Sequence, residues 1–155
     1  MNTRIQQLKI ENYKKKLALK YSFLSVDRVF YGNEDQNNNN FSKKIVNSND
    51  TKIEKFSIYD TGCNAYVNEV DVYEDALKFF KKKINAFDDN ENIIFNILYN
   101  QEQFRIQCLY SKFALHFNDI DDIGESIIVH NERLNKLVAI LRMEYSFDVL
   151  SYVSK

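Results

Sequence analysis

The chain has no proline, no tryptophan and only three glycines among 155 residues. With so little glycine and no proline it is neither collagen-like nor a proline-rich linker. Isolated glycines cannot supply G-x-x-x-x-G-K or G-x-G-x-x-G, the loops that cradle phosphates, so the common phosphate-dependent enzymes are disfavoured. The two cysteines are too few to staple a small secreted scaffold. They stand 45 positions apart, Cys63 and Cys108, with no C-x-x-C. They read as reduced thiols, one in a turn and one in a strand, although spacing alone leaves a disulfide open.

Long apolar runs are missing too. Charged or amide residues interrupt every apolar run in MNTRIQQLKIENYKKKLALKY, so the apolar core of a secretory signal, about 7–15 residues, is absent there. The longest apolar runs, Ile127–Val129 and Leu137–Leu141, fall far short of the roughly 18 residues of a spanning helix. The expectation is a soluble cytoplasmic protein with no membrane partner.

What is present is enough for a core. Hydrophobic residues make up 45% of the chain and aromatic residues 14%, too rich for a disordered segment. The length suits a single domain, residues 1–155. The formal net charge is only −1, but it is a cancellation: residues 1–55 carry +5, residues 56–130 carry −7 and residues 131–155 carry +1.

Ile5, Leu8, Tyr13, Leu17, Tyr21 and Leu24 recur at spacings of mostly three to four and predict an amphipathic helix over 3–25. Lys14, Lys15 and Lys16 splay around it, because consecutive residues turn by about 100°. A short strand is predicted over 26–31, stopped by Gly32. The asparagine-rich stretch 33–50 carries too little apolar surface to offset the entropy of ordering and is expected to be a mobile loop, with Phe41, Ile45 and Val46 touching the core. Residues 53–70 read as a hairpin around the turn Thr61–Asn64. A helix follows near 72–84, its acidic residues early and Lys81–Lys83 late, as the helix dipole favours. A second hairpin is expected from strand 92–99, turn 100–103 and return strand 104–117. Its inward parity switches near Ser111–Lys112, which demands a bulge or break. Ile127–Val129 is a strand or the entry to a helix. Leu134, Leu137, Val138, Leu141 and Tyr145 predict a helix over 131–145, and 147–153 is a terminal element of open type. Hairpin-joined strands with single helices argue α+β: an antiparallel sheet with about three helices packed on one face.

No constellation carries recognisable catalysis. Counted as a calcium loop from Asp119, the segment has Ile123 at position 5 and His130 at position 12, so two ligand positions fail. Cys108 and His116, taken as one strand, stand about 26 Å apart and cannot share an ion. Spacing leaves a Cys63–His116 or Cys63–His130 dyad open, with nothing local to support it. An enzyme reading would need a pocket gathering Cys63 or Asp60 with a histidine. Asp88, Asp89 and Glu91 lie in a polar turn that keeps them solvated, a poor setting for carboxylates whose pKa values must split. No cofactor or metal is expected.

The acidic middle of the chain remains. Asp88, Asp89, Glu91, Asp119, Asp121, Asp122 and Glu125 are the candidate partner-binding residues. The expected function is a small inhibitor or neutralising partner, of the immunity-protein, antitoxin or phage anti-defence type. It would occlude a basic site on a nucleic-acid-processing enzyme, with electrostatic steering and Tyr or Phe anchors. The alternatives are a nucleic-acid-binding or regulatory protein using the basic N-terminal segment and an enzyme without short motifs. Sequence leaves the oligomeric state open.

Overall fold

A computed structural model describes residues 3–32, 34, 36–48, 52–59, 69–143 and 146–154. The chain folds as α+β around one antiparallel sheet. Its helices are α1 (Thr3–Lys20), α2 (Gln36–Val46), α3 (Glu69–Lys83) and α4 (Tyr110–His116). Its strands are β1 (Arg28–Tyr31), β2 (Glu54–Tyr59), β3 (Asn92–Tyr99), β4 (Glu102–Leu109), β5 (Ile127–Asn131), β6 (Lys136–Arg142) and β7 (Ser146–Val153). Among the described residues the order across the sheet is β1-β4-β3-β5-β6-β7-β2, with the two earliest strands outermost.

The strand alternation places two different rows in two different cores. Ile93, Phe95, Ile106, Cys108, Val129, Val138, Ile140 and Val149 point to one face, where Ile10 and Leu17 of α1, Ala76 and Phe80 of α3, and Phe113 of α4 cover them. Leu137, Ala139 and Leu150 point to the other face, where Ile45, Phe41 and Val46 of α2 pack. The helices therefore sit on both faces, not on one.

Several sequence expectations change. Residues 36–46 form α2 rather than a loop. Its asparagines are poor helix formers, but Phe41 and Ile45 are spaced i, i+4, and their burial against β6 and β7 supplies what propensity lacks. Residues 131–145 do not form a helix. β5 ends at Asn131, and β6 occupies 136–142. Leu137–Leu141 is a continuous apolar run because β6 is covered on both faces, and such a run matches helical and strand periods alike. The return strand of the second hairpin stops at Leu109, and α4 takes over at Tyr110. That switch from strand to helix resolves the parity change near Ser111 and carries Phe113 into the same core as Cys108. His116 thus lies on a helix rather than on a strand.

The first strand of the first expected hairpin is present as β2, and the last two residues of its expected return strand are helical. β2 pairs with β7, Glu54 opposite Ser151 and Tyr59 opposite Ser146. Glu69 and Val70, expected at the end of its return strand, begin α3. The turn around Cys63, and Asp60 with it, lie outside the described residues. The β3–β4 hairpin is present with a tighter turn: Tyr99 faces Glu102 across Asn100 and Gln101, whose φ angles are 49° and 65°. Positive φ at both central residues is the twist-matched geometry of a two-residue hairpin loop.

Candidate acidic and polar clefts

The first acidic group precedes β3. Within the turn Asp88–Glu91, the Glu91 amide donates to the Asp88 carbonyl (3.0 Å), and the Asp88 amide donates to Glu91 Oε2 (3.0 Å). The amides of Tyr110 (2.8 Å) and Ser111 (3.3 Å) donate to the carbonyls of Glu91 and Asp89, fastening the turn to the start of α4. Asn131, fully buried at the end of β5, donates its amide to Glu91 Oε1 and accepts from the backbone amides of Asn135 and Lys136, both at 3.0 Å. Lys136 Nζ reaches Glu91 Oε2 at 3.1 Å and Asp88 at 3.6 Å. Burial opposes ionisation of Glu91, but the hydrogen bonds from Asn131, the Asp88 amide and Lys136 outweigh it and hold the carboxyl below its ordinary range. A cleft of about 360 Å³ opens here, lined by Asp88, Asn90, Glu91, Asn92, Glu132 and Arg133. Asp88, Asp89 and Glu132 are exposed; the Glu91 side chain keeps only 12% of its surface.

The second acidic group lies past the other end of β3. The Leu98 amide donates to the Asp122 carbonyl (3.0 Å). From Asn92 to Leu98 the strand extends about 20 Å, so the two groups flank β3 rather than share one patch. Asp122 accepts from the Tyr21 hydroxyl and from Lys20 Nζ (2.8 Å), and its own amide donates back to Tyr21 (3.2 Å). Burial first, then this bond, pushes the Tyr21 hydroxyl well above its ordinary value, and the same carboxylate raises Lys20. Asp122 is thus the anchor of α1. Asp119 meets His116 Nδ1 (3.4 Å) and Glu125 meets Arg142 (3.8 Å), while Asp121 is exposed.

The basic N-terminal segment is similarly divided. Lys14 turns inward onto Glu34 at 2.8 Å and Lys20 onto Asp122, whereas Lys15 and Lys16 face solvent.

A third depression, about 250 Å³, separates α2 from the sheet. Asn39 and Ser42 of α2 face Asn96, Gln103, Arg105 and His130 across it. Asn96 stands in for a missing stretch of ladder: its side chain donates to the Ser126 carbonyl (3.3 Å) and accepts from the Ile128 amide (2.6 Å). Arg105 donates to the Gly32 carbonyl (3.1 Å). His130 is buried, edge-on to Phe41, with Nδ1 at 2.9 Å from the Asn131 carbonyl. Cys108 lies on the opposite face of the sheet, and burial pushes its thiol up to about 12. Cys108 and His130 therefore cannot form a nucleophile–base pair. No group of three His, Cys, Asp or Glu side chains stands ready to hold a metal among the described residues. No described helix is long and apolar enough to cross a membrane.

Sequence reasoning missed the outward face of α1. Ile5, Leu8 and Leu19 are exposed, while Ile10, Leu17 and Tyr21 are buried. The signal was available: at 100° per residue, Leu8 lies about 180° from Leu17, so the two never shared a face. No family model, curated protein or solved structure matches the chain.

Proposed function

We propose that the chain is a small protein-binding partner that acts by occlusion, in the manner of an immunity protein or antitoxin covering a basic site on a nucleic-acid-processing enzyme. The observation that carries this reading is the acidic cleft at the start of β3. Glu91 is fixed there by Asn131 and Lys136, the exposed carboxylates of Asp88 and Glu132 line the cleft with Arg133, and Asp89 is exposed in the same turn. Both Glu91 oxygens are engaged within the molecule, so an incoming lysine or arginine would meet the exposed carboxylates of Asp88 and Glu132 at the rim. Exposed rim charges act chiefly on the rate of encounter, and that contribution weakens with salt. The Asp119–Glu125 group plays a smaller part in this reading, since Asp122 is occupied in fastening α1.

The test is capture by the immobilised chain from a lysate of its native cell, followed by stopped-flow association with the captured protein. The variant D88K/D89K/E132K should associate at least roughly tenfold more slowly at low salt and lose most of the salt dependence. A basic nucleic-acid enzyme is the expected partner. An association rate unchanged by the three reversals would overturn the reading.

A further inference from the structure

The outward face of α1 carries apolar side chains on a coiled-coil spacing. Ile5, Leu8, Asn12, Lys15 and Leu19 fall on alternating steps of three and four, the a and d positions of a heptad, over about 21 Å of helix. All five are exposed, Leu19 at 77%. The helix cannot turn this face inward. Ile10, Leu17 and Tyr21 on its other side are packed in the core, and Asp122 locks its C-terminal end. Other exposed apolar residues, such as Leu98, Leu115 and Phe56, lie singly on separate elements, as is ordinary for a protein surface.

Charge selects the occupant. Lys9 and Lys16 take the e positions on one side of the seam, Arg4 and Glu11 take g positions on the other, and Lys15 stands within it, so four basic side chains and one acidic side chain frame it. A second copy in parallel register would set Lys15 against Lys15, and an antiparallel copy would set the Lys9 and Lys16 edges against each other. A membrane surface fits poorly, because Asn12 would be carried below the headgroups, whereas a single asparagine at an a position is tolerated between two helices and fixes their register. The stripe is also narrow, a two-position seam rather than the broad face of a helix that lies in lipid. We infer that the outward face of α1 docks an amphipathic helix of another protein, apolar opposite Ile5, Leu8 and Leu19 and acidic opposite Lys9, Lys15 and Lys16. This goes beyond the occlusion reading: it uses a different surface and a partner of opposite charge.

Two synthetic helices of about three heptads test it, identical at a and d, one with glutamate and the other with lysine at e and g. Fluorescence anisotropy with the intact chain should show binding of the acidic helix, weakening as salt rises, and at least roughly tenfold weaker binding of the basic one. The variant I5Q/L8Q/L19Q should bind the acidic helix at least about tenfold less while melting at the same temperature, since none of the three side chains is buried. The variant K9E/K15E/K16E should reverse the preference. Absence of binding to the acidic helix, equal binding of the two, binding to phosphatidylserine vesicles that the acidic helix fails to displace, or self-association abolished by I5Q/L8Q/L19Q would each overturn the inference.

Discussion

The outer face of α1 and the turn before β3 treat their side chains in opposite ways. At the turn, polar groups are tied to one another: Asn131 alone joins Glu91, Asn135 and the backbone of the β5–β6 loop. On α1, large apolar groups are held out into solvent by a helix whose other side is fixed. The first region has stability built into its polar contacts. The second contributes little to stability, which leaves its residues open to selection for something else.

The comparison can be broken at its largest effect by two leucines of the same helix. Leu17→Ala removes a fully buried side chain and should cost about 3 kcal/mol in urea unfolding. Leu19→Ala should change stability by less than about 0.5 kcal/mol. Equal effects would mean that the outward face is covered in solution. Next, Asn131→Ala leaves the Asn135 and Lys136 amides without their acceptor and should cost about 2 kcal/mol. A loss no larger than that of Leu19→Ala would remove the contrast between the regions. A smaller effect, about 1 kcal/mol at neutral pH, is expected for Glu91→Gln. Its sign with pH is fixed by the lowered folded-state pKa of Glu91. The stability it adds is present above the ordinary value of 4.5 and is lost as pH falls through the folded value. The gap between the chain and Glu91→Gln should therefore close on acidification below about pH 4.5. A gap that widened instead would show that the carboxylate is not stabilised. The smallest effect is expected from Gln101→Gly, which relieves a non-glycine residue at φ 65° and should stabilise by roughly 0.5 kcal/mol.

The α+β class, the α1 region, α3, the β3–β4 hairpin and the burial of Phe41 and Ile45 were legible in residue patterns. The failures have physical causes. Four consecutive asparagines in α2 hid a helix stabilised by tertiary burial rather than by propensity. β6 was hidden by its double coverage, which erased the alternation of a half-buried strand. The acidic residues were visible as a block, but their separation by the length of β3 was not, because distance along the chain says nothing of which strand end a loop returns to. Neither did composition reveal that Asp122 and Glu91 serve inside the molecule. The outward seam of α1 was within reach of helical arithmetic, since its residues stand apart from Leu17 by angle alone.

The strand order has a consequence in time. β3 with β4, β5 with β6, and β6 with β7 are neighbours in sequence and close short loops, whereas β1 must find β4 and β2 must find β7 across more than 70 residues. Closing long loops is entropically slow, so the central meander should acquire amide protection before either edge in pulse-labelled refolding. Simultaneous protection of β1, β2 and β6 would contradict this. α1 belongs to the late half, because its C-terminal anchor, Asp122, lies beyond β3. The face it presents outward would then be fixed only once α1 docks beside β1, so that a chain folded in its central strands alone would lack it.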